Sequence, residues 1–199
     1  MCIRDRAFPV TVMVNHPQSL IDIDDPVRGP RQREKRRLQS EFTANLAQSL
    51  QSENLVLVGD LNAFQFNDGY VDVIGTIRGV PTPADQVVLA SPDLVTPDLY
   101  NLTDTLPAAE RYTFIFEGNP QVLDHILVNT GAHNRLTRYS IARNDADFPE
   151  AFSSNASRPE RVSDHDMPVA YFTVNPIAGD DGDGDGVDDI VDNLSLIHI

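Results

Sequence analysis

The amino-acid sequence predicts a mixed α/β domain, and three stretches carry that expectation. Leu55–Phe64 (LVLVGDLNAF) opens on four apolar residues, as a central strand covered on both faces does. In Arg33–Ser52, Leu38, Phe42, Leu46 and Leu50 recur at every fourth position, the period of a helix with one apolar face. Arg111–Asn129 (RYTFIFEGNPQVLDHILVN) holds two β-prone runs around the turn residues Asn119 and Pro120, which predicts a hairpin.

At 199 residues, 41% of them hydrophobic, the chain suits one sizeable domain with a short appendage. No apolar run approaches the roughly 20 residues of a membrane helix. The two ends stand apart. MCIRD can be encoded as ATG TGT ATA AGA GAC. With AG opening the next codon, the reverse complement reads CTG TCT CTT ATA CAC AT, which translates as LSLIH followed by Ile or Met. The chain ends in LSLIHI, so both ends fit one inverted repeat, which resembles the transposase end sequence used to prepare sequencing libraries. Residues 1–6 and 194–199 are therefore set apart from the fold, leaving a body over 7–175 and an acidic segment over 176–193. On this reading the true N-terminus is missing, and the lack of a leader peptide says nothing about compartment. The only cysteine, Cys2, falls in the foreign end, so no disulfide framework is expected.

Taken in order, Phe8–Asn15 reads as a strand ending in Asn15 and His16, and 17–30 as a loop rich in Asp, Pro and Gly. The basic run RGPRQREKRR opens the helix. Its arginines either form a solvated helix start or grip phosphates, with Arg31, Arg33 and Arg36 as the candidate contacts. Arg37 and Glu41 can pair across one turn. In LVLVGDLN, Gly59 permits a close backbone turn, and Asp60 and Asn62 project the same way from the strand end. The plain alternative there is an Asx turn. Prolines break 65–101 into loops and short helices. Asp124 interrupts an apolar run and must have a partner, whereas the neighbouring His125 reads as a structural or rim residue. The stretch 140–161 is loop-like, and Met167–Val174 is a final buried strand preceded by Asp164, His165 and Asp166.

Four polar junctions thus stand at strand ends: Asn15-His16, GDLN at 59–62, LDH at 123–125 and SDH at 163–165. In this order and spacing they resemble the second half of the endonuclease/exonuclease/phosphatase superfamily, metal-dependent phosphoesterases similar to deoxyribonuclease I. The resemblance covers about Phe8 to Val174. Within the superfamily, RYTFIFEGNPQVLDHILVN and the loop around Asn144–Glu150 are most similar to bacterial extracellular nucleases.

The resemblance implies part of a four-layer α/β sandwich, with two mixed sheets packed face to face, helices outside, and the N-terminal portion missing. It implies that His165 is the general base and that Asp124 accepts a hydrogen bond from its imidazole. It sets His16 opposite, binding the phosphate or protonating the leaving oxygen. Asp60 and Asn62 would contact the phosphate, the metal or the attacking water, and Asp164 would complete a metal position. Oxygen ligands suit Mg2+, Mn2+ or Ca2+ rather than a thiolate metal. The chain departs from the family in lacking the Asn and the metal-binding Glu of earlier strands. An intact parent is therefore expected to be a nuclease, and the isolated chain to be inactive or barely folded.

The net charge of −15 is uneven: seven aspartates between Asp180 and Asp192 supply −7, leaving about −8 for the remainder. The string DGDGDGVDDIVDN (181–193) resembles a thrombospondin type 3 calcium repeat, with Asp181, Asp183, Asp185, Asp189 and Asp192 as candidate Ca2+ ligands. The alternative is an acidic linker. A calcium tail favours an extracellular or cell-surface protein. The leading expectation is a secreted metal-dependent nuclease acting on DNA or RNA, with a nucleic-acid partner and no membrane span. Two others compete: a phosphomonoesterase or sphingomyelinase-type phosphodiesterase of the same superfamily, and a non-catalytic calcium-dependent extracellular module.

Overall fold

The computed structural model describes residues 9–173 and the backbone of 196–198. The five tail aspartates Asp181, Asp183, Asp185, Asp189 and Asp192 lie outside the described residues. The chain runs β1 (Thr11–Val14), α1 (Gly29–Ser49), β2 (Leu55–Asp60), α2 (Val73–Arg78), β3 (Tyr100–Asn101), β4 (Phe114–Phe116), β5 (Asn119–Gln121), β6 (Asp124–Val128), α3 (Thr130–His133), β7 (Leu136–Ala142), β8 (Met167–Thr173) and β9 (Leu196–His198). Among the described residues it is a mixed α/β fold with three sheets.

The central sheet has the order β1-β2-β6-β3, with β1 parallel to β2 and β6 antiparallel to both of its neighbours. Alternation sends Leu55 and Leu57 to one face and Val56 and Val58 to the other. On the first face they join Ala44 and Ala47 of α1 and Ile74 and Ile77 of α2. On the second, Val56, Ile126 and Val128 pack against Tyr139 and Ile141 of β7 and Ala170 and Phe172 of β8. The central strands are thus covered on both sides, as their unbroken apolar runs require. β9 pairs antiparallel with the outer edge of β8, where any β-prone segment finds free backbone partners.

Several expectations are corrected. The helix starts four residues earlier than Arg33, at Gly29, with Pro30 in its first turn, where proline's fixed φ suits a helix start. Its buried face is not the leucine stripe. Leu38 is 51% and Phe42 72% exposed, and Leu46 is exposed too, while Arg36, Ser40, Thr43, Ala44 and Ala47 face inward. Small side chains let the helix approach Leu55 and Leu57 closely, which a ridge of Leu and Phe would prevent.

The hairpin turns at Glu117-Gly118 rather than at Asn119-Pro120. Both turn residues have positive φ (49° and 81°), the geometry of a two-residue turn that matches strand twist. Asn119 and Pro120 belong to β5, and the expected second strand is split: the ribbon ends at Gln121, Val122-Leu123 link it onward, and β6 joins the central sheet beside β2. Finally, 140–161 is not all loop, because β7 runs through Ala142.

Candidate metal and general-base site

Antiparallel pairing of β2 with β6 sets Asp60, the last residue of β2, directly opposite Asp124, the first of β6. Two sequence-distant carboxylates therefore meet at one end of the central sheet. Gly59 makes the junction possible: its φ is 141°, and a side chain there would run into the Asn15 carbonyl at 1.9 Å. His165 arrives from the segment before β8, through a backbone bridge to Phe114 of β4. Its Nδ1 lies 2.6 Å from Asp124 Oδ2, so the ring donates there and directs Nε2 away from the pair.

Asp60, Asp124 and His165 each offer an atom within 4.8 Å of the others, a set that could hold a metal ion. The electrostatics agree. Burial, more than any other cause, pushes the Asp60 carboxyl above its usual range, and the Asp124 charge adds to it. A backbone hydrogen bond from Asn62 opposes the rise. A half-buried carboxylate facing a second carboxylate fits a hard cation between them. The His165 pKa is raised, first by its hydrogen bond to Asp124, against the effect of burial.

The other expected residues divide. His16 is 75% exposed, with Nε2 3.5 Å from Asp60 Oδ2, so it approaches the cluster from the β1 side. Asn62 sits beside it with φ 48°, its backbone N–H on Asp60 Oδ1 at 2.8 Å and its Nδ2 on the Pro17 carbonyl at 3.2 Å. The Asx turn is therefore real and coexists with the cluster. Asp164 is exposed and stands outside the three-residue set. Of the arginines only Arg31 remains an exposed candidate, lining a groove with His16 and Lys35. Arg33 lies over the Tyr70 ring and donates to the Ile23 carbonyl at 2.8 Å. Arg36 is buried, donating to the Gln18 and Asn62 carbonyls at 2.7 and 2.8 Å and pairing with Asp68 at 3.1 Å. Arg33 through Nε and Arg36 through both terminal nitrogens are thus engaged within the fold rather than presented to a phosphate. His125 is buried and structural, bonded to Ala63 and Asn101.

Three supporting residues escaped the sequence reading. Buried Thr113 accepts the backbone N–H groups of Leu123 and Asp124 at 3.1 Å each, which fixes the start of β6. Buried Asp166 accepts from the backbone of Asn144, Asp145 and Ala146 and from Arg143, and so ties the loop after β7 to the strand that follows His165. Phe114 stacks on the His165 ring at 4.7 Å. The only sequence signal for Asp166 was a second acid flanking His165; a threonine before an aromatic run gives none.

A cavity of about 730 Å3 opens beside Asp124 and His165, walled by Val58, Ile126, Val162, Met167 and Pro168. No family model, curated protein or solved structure matches the chain.

Proposed function

We propose that the chain carries the general-base side of a metal-dependent phosphodiesterase centre, acting on a nucleic acid outside the cell. The observation that carries this reading is the Asp60–Asp124–His165 cluster, with His165 Nδ1 held by Asp124 at 2.6 Å. The order of the four polar junctions along the chain supports it independently. The packed layers of helix, sheet and sheet would be part of the four-layer sandwich that the resemblance implies.

In this mechanism His165 Nε2 takes a proton from water, and the water oxygen attacks phosphorus in line with the leaving ester oxygen. The bond from water to phosphorus forms as the ester P–O bond breaks. The leaving oxygen takes its proton from His16 or from solvent. Asp124 keeps the imidazole in the tautomer that presents Nε2 and favours the imidazolium that results. Asp60 and the Asn62 side-chain oxygen would hold a divalent cation, Mg2+, Mn2+ or Ca2+. Once bound, such an ion neutralises charge on the phosphoryl oxygens. No covalent enzyme intermediate is needed. The tail aspartates would bind Ca2+ separately.

Because the resemblance implies metal ligands beyond Asp60 and Asn62, the measurement suited to this chain is binding rather than turnover. Among residues 9–173 of the isotope-labelled chain, titration with Mn2+ should broaden the resonances of Asp60, Asp124 and His165 first. A phosphorothioate dinucleotide should then shift His165 only when the metal is present. Asp60→Asn should weaken the Mn2+ effect tenfold or more. An unselective Mn2+ effect, or one that survives Asp60→Asn unchanged, would remove the proposal.

A further inference from the structure

Beside the cluster, three rings run outward in a row. His165 stacks on Phe114 at 4.7 Å with an interplanar angle of 29°, and Phe114 on Phe116 at 6.4 Å with 24°. Phe114 and Phe116 are two apart on β4, so one face of the strand carries both. The two-residue turn at Glu117-Gly118 and the pairing with β5 hold that face in place. Phe114 is partly covered, while Phe116 is 53% exposed at the solvent end of the row. Phe116 thus sits on a short paired ribbon, in a row with a candidate general base, with about half of its surface open to contact with a ligand.

We infer that Phe116 is a base-stacking platform, and that the substrate is a nucleic-acid strand with an unpaired base next to the scissile phosphate. This rests on the phosphodiesterase reading and narrows it. A row of parallel rings leading away from the proton acceptor matches the repeat of a strand, in which phosphate and base alternate and every base offers a π-face. A duplex keeps its bases stacked on one another and cannot lay one on Phe116 without opening. The hairpin is a poor lipid anchor. Its tip, Glu117-Gly118-Asn119, is exposed and carries the Glu117 carboxylate, which insertion would have to desolvate.

The chain has no tryptophan, so Phe116→Trp places a single tryptophan at the platform, excited selectively over the five tyrosines at the red edge. Four probes are titrated against it in Mg2+: a phosphorothioate single strand, the same strand with abasic positions, its duplex, and sphingomyelin–phosphatidylcholine vesicles. The single strand should quench the emission, and the abasic strand and the duplex should not. Phe116→Ala should bind the base-bearing single strand about tenfold or more weakly, as expected for the loss of one stacked base. Its affinity for the abasic strand should not change, and Phe116→Tyr should restore most of the loss. Equal losses for base-bearing and abasic strands, or a spectral response to vesicles alone, would overturn the platform. Selective Mn2+ broadening at Asp60, Asp124 and His165 without base-dependent binding rejects the platform and leaves the reaction standing. Loss of that broadening rejects the reaction whatever Phe116 does.

Discussion

His125 and His165 lie close together and are driven in opposite directions. Asp124 raises the pKa of His165, whereas burial pulls that of His125 down to about 4. Asn101 Nδ2, which can only donate, lies 3.0 Å from His125 Nδ1, and the Ala63 carbonyl, which can only accept, lies 2.8 Å from Nε2. The ring is therefore neutral with its proton on Nε2. Unfolded, it binds a proton below about pH 6.5. Folded, it does so only near 4, so between those values the unfolded state holds more protons and stability falls on acidification. The loss from this residue reaches about 3 kcal/mol at the low end of that window. His165, with its raised pKa, has the opposite sign: its contribution is full below the unfolded value and lost as pH rises through the folded one. Urea unfolding in EDTA from pH 7 to 4 should therefore show a shallower decline for His125→Gln than for the wild-type chain, and equal slopes would contradict this. Asp124 was legible in the sequence because an acid inside an apolar strand demands a partner. Arg36 was not. A basic run reads the same whether its fourth arginine meets water or three acceptors from distant loops.

Within α1, the charge and the apolar stripe exchange their expected places. Arg36 stitches the helix to the loop at Gln18, to the GDLN turn through the Asn62 carbonyl, and to Asp68, whose other oxygen caps the Tyr70 and Val71 backbone. Removing the guanidinium strands a buried carboxylate and two carbonyls. Arg36→Ala should cost about 3–5 kcal/mol in urea unfolding, while Phe42→Lys on the same helix should change stability by less than about 0.5 kcal/mol. A reversed order would mean that the helix packs through its leucine face. Periodicity found the helix but not its orientation, because a four-residue repeat marks an apolar face without saying what covers it. Strands β2 and β8 were readable as short apolar runs. β7 was hidden by a bulge between Leu136 and Arg138 that breaks the alternation before Tyr139 and Ile141 resume it. The hairpin was recognised but its turn misplaced, since proline is tolerated in a two-stranded ribbon with an open edge.

At the scale of the whole molecule, the sequence marked the polar junctions at strand ends but not how the strands bring three of them together. Asp60 and Asp124 meet only through the β2–β6 register, a long-range pairing that no local pattern encodes. The same topology leaves β1 at the end of the central sheet, with no strand on its outer edge among the described residues. Val12 and Val14 are exposed on one side of that edge, and Leu38, Phe42 and Leu46 of α1 on the other. Unpaired backbone groups flanked by apolar side chains form a template for association with another chain. Sedimentation velocity should show the average mass of the isolated chain rising with protein concentration. Lysines at the rim should suppress the rise: Val12→Lys with Phe42→Lys should keep the chain monomeric at concentrations where the wild-type chain associates, without loss of secondary structure by circular dichroism. A wild-type chain that stays monomeric throughout would mean that this edge is closed in solution by some other part of the molecule.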